Sequence, residues 1–338
     1  MGLVARDQGP LAHHVTRRLR QVRPDERVAL PAFLAATAFV STAAADPAYL
    51  FAKVDFDGTL IHGSGALSVT HIAPGRYEVT FTSDVSGCAY VATTIDISSQ
   101  ALLVFTAGGH FSNTGVHVET KTQAGGLADA PFDLVVVCGG SGTSFAVIGA
   151  QKALIVRSTP GVTLTNRNGG RYLVSFPTSV AACAFLATVG HPRNGAVSAP
   201  AGVFTGSGPD GRTVYVETKN VGGGLTEGVP FHLAVVCPGL SSVRTAVVDA
   251  SGALVRGSAG TTASRAGTGS YAITTDRDVS DCAWLGTRGS VDAAVPFDPA
   301  TVEVEPDSGG DTVRFQVRQL QFFGGNLEDQ AFHAAILC

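Results

Sequence analysis

Aromatic residues make up only 7% of the 338-residue chain, charged residues only 15%, and Met and Trp occur once each. Low charge beside 45% hydrophobic residues excludes an intrinsically disordered chain, which needs the opposite balance. No stretch runs about 20 residues without polar interruption, which argues against a polytopic membrane protein. A cationic excess is also missing. The 23 Lys and Arg stand against 27 Asp and Glu, a net charge of −4, so there is no basic field for nucleic acid. Helical periodicity is absent beyond the first 45 residues. What is abundant is glycine, with 41 residues, and length sufficient for two or three domains.

The charge is unevenly placed. Residues 1–45 hold six arginines (Arg6, Arg17, Arg18, Arg20, Arg23, Arg27) and three acids (Asp7, Asp25, Glu26), which leaves the remainder near −7. The apolar run Val28–Ala45 ends in Ala43-Ala44-Ala45, a small-residue cleavage site that would make Asp46 the new N-terminus. Thr16-Arg17-Arg18-Leu19 resembles the opening of a twin-arginine signal, although Arg20 stands where that pattern wants a hydrophobe. The reading is an export signal over residues 1–45, with no membrane span in the mature form. A retained anchor is disfavoured by the shortness of the run and by Pro31.

Past the leader the same landmarks recur three times in the same order. Gly-x-Tyr opens an alternating run at Gly75–Tyr77, Gly170–Tyr172 and Gly269–Tyr271. Cys-Ala-aromatic follows at Cys88-Ala89-Tyr90, Cys183-Ala184-Phe185 and Cys282-Ala283-Trp284. Val-x-Val-Glu-Thr-Lys occupies Val116–Lys121 and Val214–Lys219, degraded in the third copy to Phe315-Gln316-Val317-Arg318. Each copy closes on an apolar run ending in cysteine: Phe132–Cys138, Phe231–Cys237 and Phe332–Cys338. The period is 95 and then 99 residues. Alternating Val, Thr and aromatic residues, punctuated by Gly, Pro, Asn and Asp, predict seven or eight short strands per copy. The expected fold is therefore all-β: three jelly-roll-like β-sandwich domains over residues 46–140, 141–240 and 241–338. A domain of this size can bury its own core, so the copies are expected to behave as independent beads.

The six cysteines fall two per copy, and the repeat favours the pairs Cys88–Cys138, Cys183–Cys237 and Cys282–Cys338 among 15 possible pairings. Loops of 50–56 residues closed in this way would each constrain the unfolded chain by roughly 4 kcal/mol on the entropy model, as suits an exported protein. Tyr90, Phe185 and Trp284 lie two residues past a cysteine, on the same strand face, and are expected to pack against the bridges. With no C-x-x-C pair and no histidine at ligand spacing from a cysteine in all three copies, no metal site is expected.

Val54-Asp55-Phe56-Asp57-Gly58-Thr59-Leu60 resembles the first motif of the haloacid dehalogenase-like phosphatases. That resemblance would make Asp55 a nucleophile and Asp57 an acid/base. The alternating helices and distal acidic pair of that family are missing, and the repeat aligns the segment with 148–154 and 248–254. The motif is therefore read as a hairpin turn, with Ca²⁺ binding by Asp55 and Asp57 as a lesser alternative. The nine histidines are not expected to converge. His232, His333 and their counterpart Asp133 are placed on a solvent face, as are Glu119 and Glu217 opposite the valines. No nucleophile elbow or phosphate-cradling loop occurs, so no catalytic residue and no cofactor is expected.

The Gly-x-Tyr-x-Val-x-Phe strands at Gly75–Phe81 and Gly170–Phe176 resemble a strand of the complement-globular-head and tumour-necrosis-factor jelly rolls. The whole copy is similar to repeats of exported actinobacterial proteins of uncharacterised function, which implies export and a β fold but no activity. Nineteen Arg against four Lys agrees with a GC-rich genome. The expectation is a secreted or surface, non-enzymatic protein for display, adhesion or binding of a protein or carbohydrate ligand. An envelope or fibre component that forms homo-oligomers is the alternative, and a phosphatase centred on Asp55 and Asp57 a remote one.

Overall fold

Short runs of Val, Thr, Ala and aromatic residues between Gly, Pro, Asp and Asn turns become β-strands in the computed structural model, and no helix occurs among the described residues. The structure describes residues 49–95, 101–150, 154–196, 200–292, 298–307, 309–320 and 325–338. The leader expected over residues 1–45, and the turn expected at residues 151–153, lie outside them.

The first eight strands are β1 (Tyr49–Val54), β2 (Leu60–Ser64), β3 (Ala66–Ala73), β4 (Arg76–Phe81), β5 (Ala89–Thr94), β6 (Leu102–Gly108), β7 (Gly115–Thr122) and β8 (Phe132–Val137). The next are β9 (Thr143–Ile148), β10 (Ile155–Ser158), β11 (Thr163–Asn166), β12 (Arg171–Ser175), β13 (Ala184–His191), β14 (Ala201–Ser207), β15 (Thr213–Asn220) and β16 (Phe231–Val236). The last are β17 (Val243–Val248), β18 (Leu254–Gly257), β19 (Thr262–Gly267), β20 (Ser270–Thr274), β21 (Ala283–Arg288), β22 (Ala300–Pro306), β23 (Thr312–Gln319) and β24 (Phe332–Leu337).

One strand order recurs through these three segments. The inner layers run β2-β1-β8-β5, β10-β9-β16-β13 and β18-β17-β24-β21, and the outer layers run β3-β4-β7-β6, β11-β12-β15-β14 and β19-β20-β23-β22; β13 and β6 pair in parallel, so the second inner and first outer layers form one continuous eight-stranded sheet. Alternate side chains of the two sheets meet in a sandwich core, in the first segment Leu50, Ala52, Tyr77, Val79, Val118, Phe132 and Leu134.

The inner sheets bury their second face as well. Tyr49, Phe51 and Val135 of the first segment, Phe145, Val147 and Leu186 of the second, and Val243, Leu285 and Leu337 of the third share one central core. Residues 46–338 accordingly form one unit, which corrects the expectation of independent beads. The reason is visible in the closing strands. Phe132–Val137 is buried at every position, and a strand apolar on both faces needs cover on both faces. The segments also exchange sheet edges through parallel bridges at Thr106↔Gly190, Thr205↔Gly289 and Ile95↔Val304.

Each disulfide joins the residue before an edge strand to the residue after the closing strand. Cys88–Cys138, Cys183–Cys237 and Cys282–Cys338 have Cα separations of 4.3, 4.1 and 4.3 Å. Tyr90, Phe185 and Trp284 share the sandwich cores of Cys88, Cys183 and Cys282. The Tyr90 hydroxyl and Trp284 Nε1 donate to the carbonyls of Val85 and Val279, both at 2.8 Å.

The edge strands β5, β13 and β21 present backbone groups that no strand of their own segment pairs. The next segment supplies side chains instead. Ala92 N–H donates to Thr188 Oγ1 at 2.8 Å, and that hydroxyl donates to Ala92 O at 3.1 Å. Thr287 does the same for Ala187, and Thr93 for Gly286, which closes the cycle. Two residues earlier on each strand, the N–H groups of Tyr90, Phe185 and Trp284 donate to His232 Nδ1, His333 Nδ1 and Asp133 Oδ2, each at 2.9 Å. These three acceptors are fully buried, not on a solvent face as their alternation suggested. The face they occupy is covered by the neighbouring segment, and an unpaired edge N–H needs an acceptor there.

The two histidine seams differ from the third. His232 and His333 stack on Tyr90 and Phe185 at 4.9 Å, with Arg157 and Arg256 over the same rings. At the third seam Lys53 lies over Trp284 and 3.5 Å from Asp133. Burial pushes the Asp133 carboxyl up to about 6 against the pull of Lys53. Burial, aided by Arg256, pushes His333 down to about 3, and it lowers His232 likewise, aided by Arg157.

The unfolded chain, with a histidine pKa of about 6.5, takes up a proton that folded His333 refuses. Its contribution to stability is therefore present above pH 6.5 and lost as pH falls toward 3. Denaturant unfolding of His333→Asn, whose amide oxygen replaces Nδ1 without titrating, is expected to show it. Between pH 6 and 4 the wild type should lose about 1.4 kcal/mol per pH unit more than the variant. Equal pH slopes would count against a neutral buried His333.

Candidate functional site

The Asp55–Thr59 segment is a hairpin turn. Asp55 N–H donates to Thr59 O and Gly58 N–H to Asp55 O, both at 2.9 Å, and Gly58 takes a φ of 86° that a side chain would resist. The carboxylates serve the turn: Asp57 accepts from Thr59 N–H and Asp55 from Phe56 N–H, both at 2.8 Å. In the third segment Asp249 and Ala253 make the matching turn.

The polar constellations lie elsewhere, on the middle strand of each outer sheet. The Glu-Thr-Lys motif places Glu119 opposite Phe105 and Glu217 opposite Phe204. Phe105 packs in the second segment's core, so Glu119 is drawn into the seam and is buried, as is Glu217. This corrects their placement on a solvated face. Each is neutralised. Arg76 Nε and Lys121 Nζ lie 3.0 and 2.7 Å from Glu119; Arg171 Nε and Lys219 Nζ lie 3.1 and 3.0 Å from Glu217. Burial alone would raise the Glu119 carboxyl, but His117, Lys121 and Arg76 together hold it at about 2. The third segment preserves the scheme in exchanged positions, with Arg318 Nε 2.7 Å from Glu303.

The first segment then departs from the other two. Strand β4 carries Glu78 where β12 has Leu173 and β20 has Ala272, and β7 carries His117 where β15 has Tyr215 and β23 has Arg314. Glu78 and His117 are both buried, with His117 Nδ1 3.5 Å from Glu78 Oε2 and Nε2 3.8 Å from Glu119 Oε1. Neither ring nitrogen of His117, nor Glu78 Oε2, has a hydrogen-bond partner. The exposed His110, between β6 and β7, stacks on His117 at 3.9 Å with the rings 12° apart. The histidines thus do converge in one place. Burial disfavours the His117 cation, yet Glu119 and Glu78 outweigh it and hold its pKa above the ordinary value. Burial and the neighbouring His117 lower that of His110.

The loop that carries His110 is built around the carboxylate. Phe111 N–H donates to Glu78 Oε1 at 3.3 Å, and a side chain on Gly115 or Gly109 would collide with that oxygen. The same glycines line a cavity of about 520 Å³ between the first and second segments. Its other walls include Tyr90, Ser112, Asn113, Val156, Arg157 and Asn194. Arg157 spans the seam, donating to Cys88 O at 2.6 Å and to Pro192 O, and its Nη2 is left without a partner. Chemically the group offers two imidazoles and a carboxylate at one point, beside a cavity lined by hydroxyl, amide and guanidinium groups. Glu78, His110 and His117 were not singled out from the sequence. The signal available was a Glu at a repeat position that is apolar in the other two copies (Leu173, Ala272), directly across from a His where they have Tyr215 and Arg314. Comparison with protein-family models, with curated proteins and with solved structures finds no match.

The same strand pairing forms in the other two segments with Leu173 beside Tyr215 and Ala272 beside Arg314. Replacing both by the residues of the second segment, Glu78→Leu with His117→Tyr, is expected to leave stability unchanged or raise it by about 1–4 kcal/mol, as for other buried ion pairs exchanged for packed groups. Chemical denaturation measures it. A loss above about 2 kcal/mol would make the pair a structural element of the sheet.

Proposed function

We propose that the chain is an exported, non-enzymatic binding protein that presents ligand-binding loops on a rigid three-segment β scaffold, at the cell surface or in the surrounding medium. Three disulfides fit an oxidising, extracytoplasmic compartment. The observation that carries the binding function is the cavity of about 520 Å³ between the first two segments, within the roughly 300–1,000 Å³ typical of small-ligand sites. Its hydroxyl, amide and guanidinium groups suit a polar, hydroxyl-rich ligand, and a carbohydrate matches that chemistry best.

A second reading, an assembly component that oligomerises through its β surfaces, draws on a different observation. Ile61, Val156 and Val255 occupy the same bulged position in the three segments, and all three are exposed. Phe56, Leu67 and Ile72 add further exposed apolar surface to the first segment. Light scattering separates the readings, a monomer favouring binding and a defined oligomer or fibre favouring assembly.

The binding reading is tested by ligand-observed NMR with glucose, galactose, mannose, N-acetylglucosamine and glucuronate. At least one sugar is expected to bind, with affinity reduced tenfold or more in Asn194→Ala. Absence of binding by the whole panel, or binding that Asn194→Ala leaves unchanged, would remove the seam cavity as the site.

A further inference from the structure

We propose that Glu78, His110 and His117 form a binding site for a divalent transition-metal ion of the zinc type, with the fourth coordination position open to water. The ligand atoms of the three side chains already lie within 4.8 Å of one another. The 3.5 Å between His117 Nδ1 and Glu78 Oε2 is longer than a good hydrogen bond. It is close to the span of about 3.4 Å that separates two ligands of a tetrahedral ion with bonds of about 2.0–2.1 Å. An ion between them would satisfy the two buried atoms that the protein leaves unpaired, Glu78 Oε2 and His117 Nδ1.

The surroundings have the form of an outer shell. His117 Nε2 faces Glu119 Oε1 at 3.8 Å, so the second ring nitrogen has a carboxylate toward which to direct its proton, which leaves Nδ1 for a metal. Glu119 is in turn held by Arg76 and Lys121. Two imidazoles and one carboxylate favour zinc and its transition-metal neighbours over calcium or magnesium, which want more oxygen ligands. Three protein ligands leave one place vacant.

One movement is required. With the rings of His110 and His117 stacked at 3.9 Å and nearly parallel, their lone pairs cannot meet at one ion, so His110 must turn out of the stack. It is exposed and follows Gly108 and Gly109, so the turn costs it the stack on His117 and a hydrogen bond with the Asn194 backbone but displaces no core side chain. The repeated strand pattern does not ask for Glu78 and His117, because the corresponding positions of the other segments hold Leu173 and Tyr215, or Ala272 and Arg314. The site uses different residues from those tested in the sugar experiment, so either proposal can fail alone.

The test is calorimetric titration of the untagged, oxidised chain with Zn²⁺ at pH 7.5, with Co²⁺ absorption as a second readout. One Zn²⁺ per chain in the micromolar range or tighter is expected, with the visible bands of tetrahedral Co²⁺. His110→Ala, at an exposed position, and Glu78→Gln, of the same shape, should each weaken binding at least tenfold. Circular dichroism checks the fold, and if Glu78→Gln fails to fold, His110→Ala decides. No stoichiometric binding, or stoichiometric binding that His110→Ala leaves unchanged, overturns the proposal.

Discussion

Three edge strands with unsatisfied backbone groups govern the architecture. A buried N–H or C=O without a partner costs about 1–3 kcal/mol, and the edges of β5, β13 and β21 are buried by the central core. The chain meets this need by lending each edge the side chains of the next segment: Thr188, Thr287 and Thr93, and beside them His232, His333 and Asp133. Because the last loan returns to the first segment, the ring closes. Each segment draws partners for its edge strand from the next. The disulfides act at the same places, fastening each borrowed edge strand to the closing strand beside it.

The seams are chemically alike but not identical. Where the acceptor is a histidine it is kept neutral by burial, and an arginine lies across the aromatic ring. Where the acceptor is Asp133 its charge must be matched, and Lys53 takes over both tasks, pairing with the carboxylate and covering Trp284. The exchange of His for Asp between copies thus records a compensated pair at a buried seam.

Much of the fold was legible in the sequence because strands, turns and cysteine pairs depend on local pattern. Gly-x-Tyr, Cys-Ala-aromatic and the terminal apolar run each became a strand or its boundary, and the Asp55–Thr59 hairpin followed from turn chemistry. The faces were not legible. Alternation tells which residues share a side, not what covers that side, so the pattern points Asp133, His232, Glu119 and Glu217 to water while the fold buries them. The independence of the segments failed for the same reason: burial of Phe132–Val137 at every position is a property of the assembled ring. Glu78, His110 and His117 carry no mark in the shared pattern, because the other two segments hold different residues at those positions. Residues shared by the three segments build the scaffold, and a polar trio confined to one segment, with Glu78 and His117 buried and His110 exposed, is where a special chemistry is to be sought.

The dependence of every segment on the next is tested most directly by scanning calorimetry of the oxidised chain. A closed ring of borrowed edges predicts a single transition whose calorimetric and van't Hoff enthalpies agree. Separate transitions, or a van't Hoff enthalpy of about one third of the calorimetric value, would mean that the three segments unfold independently and would contradict the account.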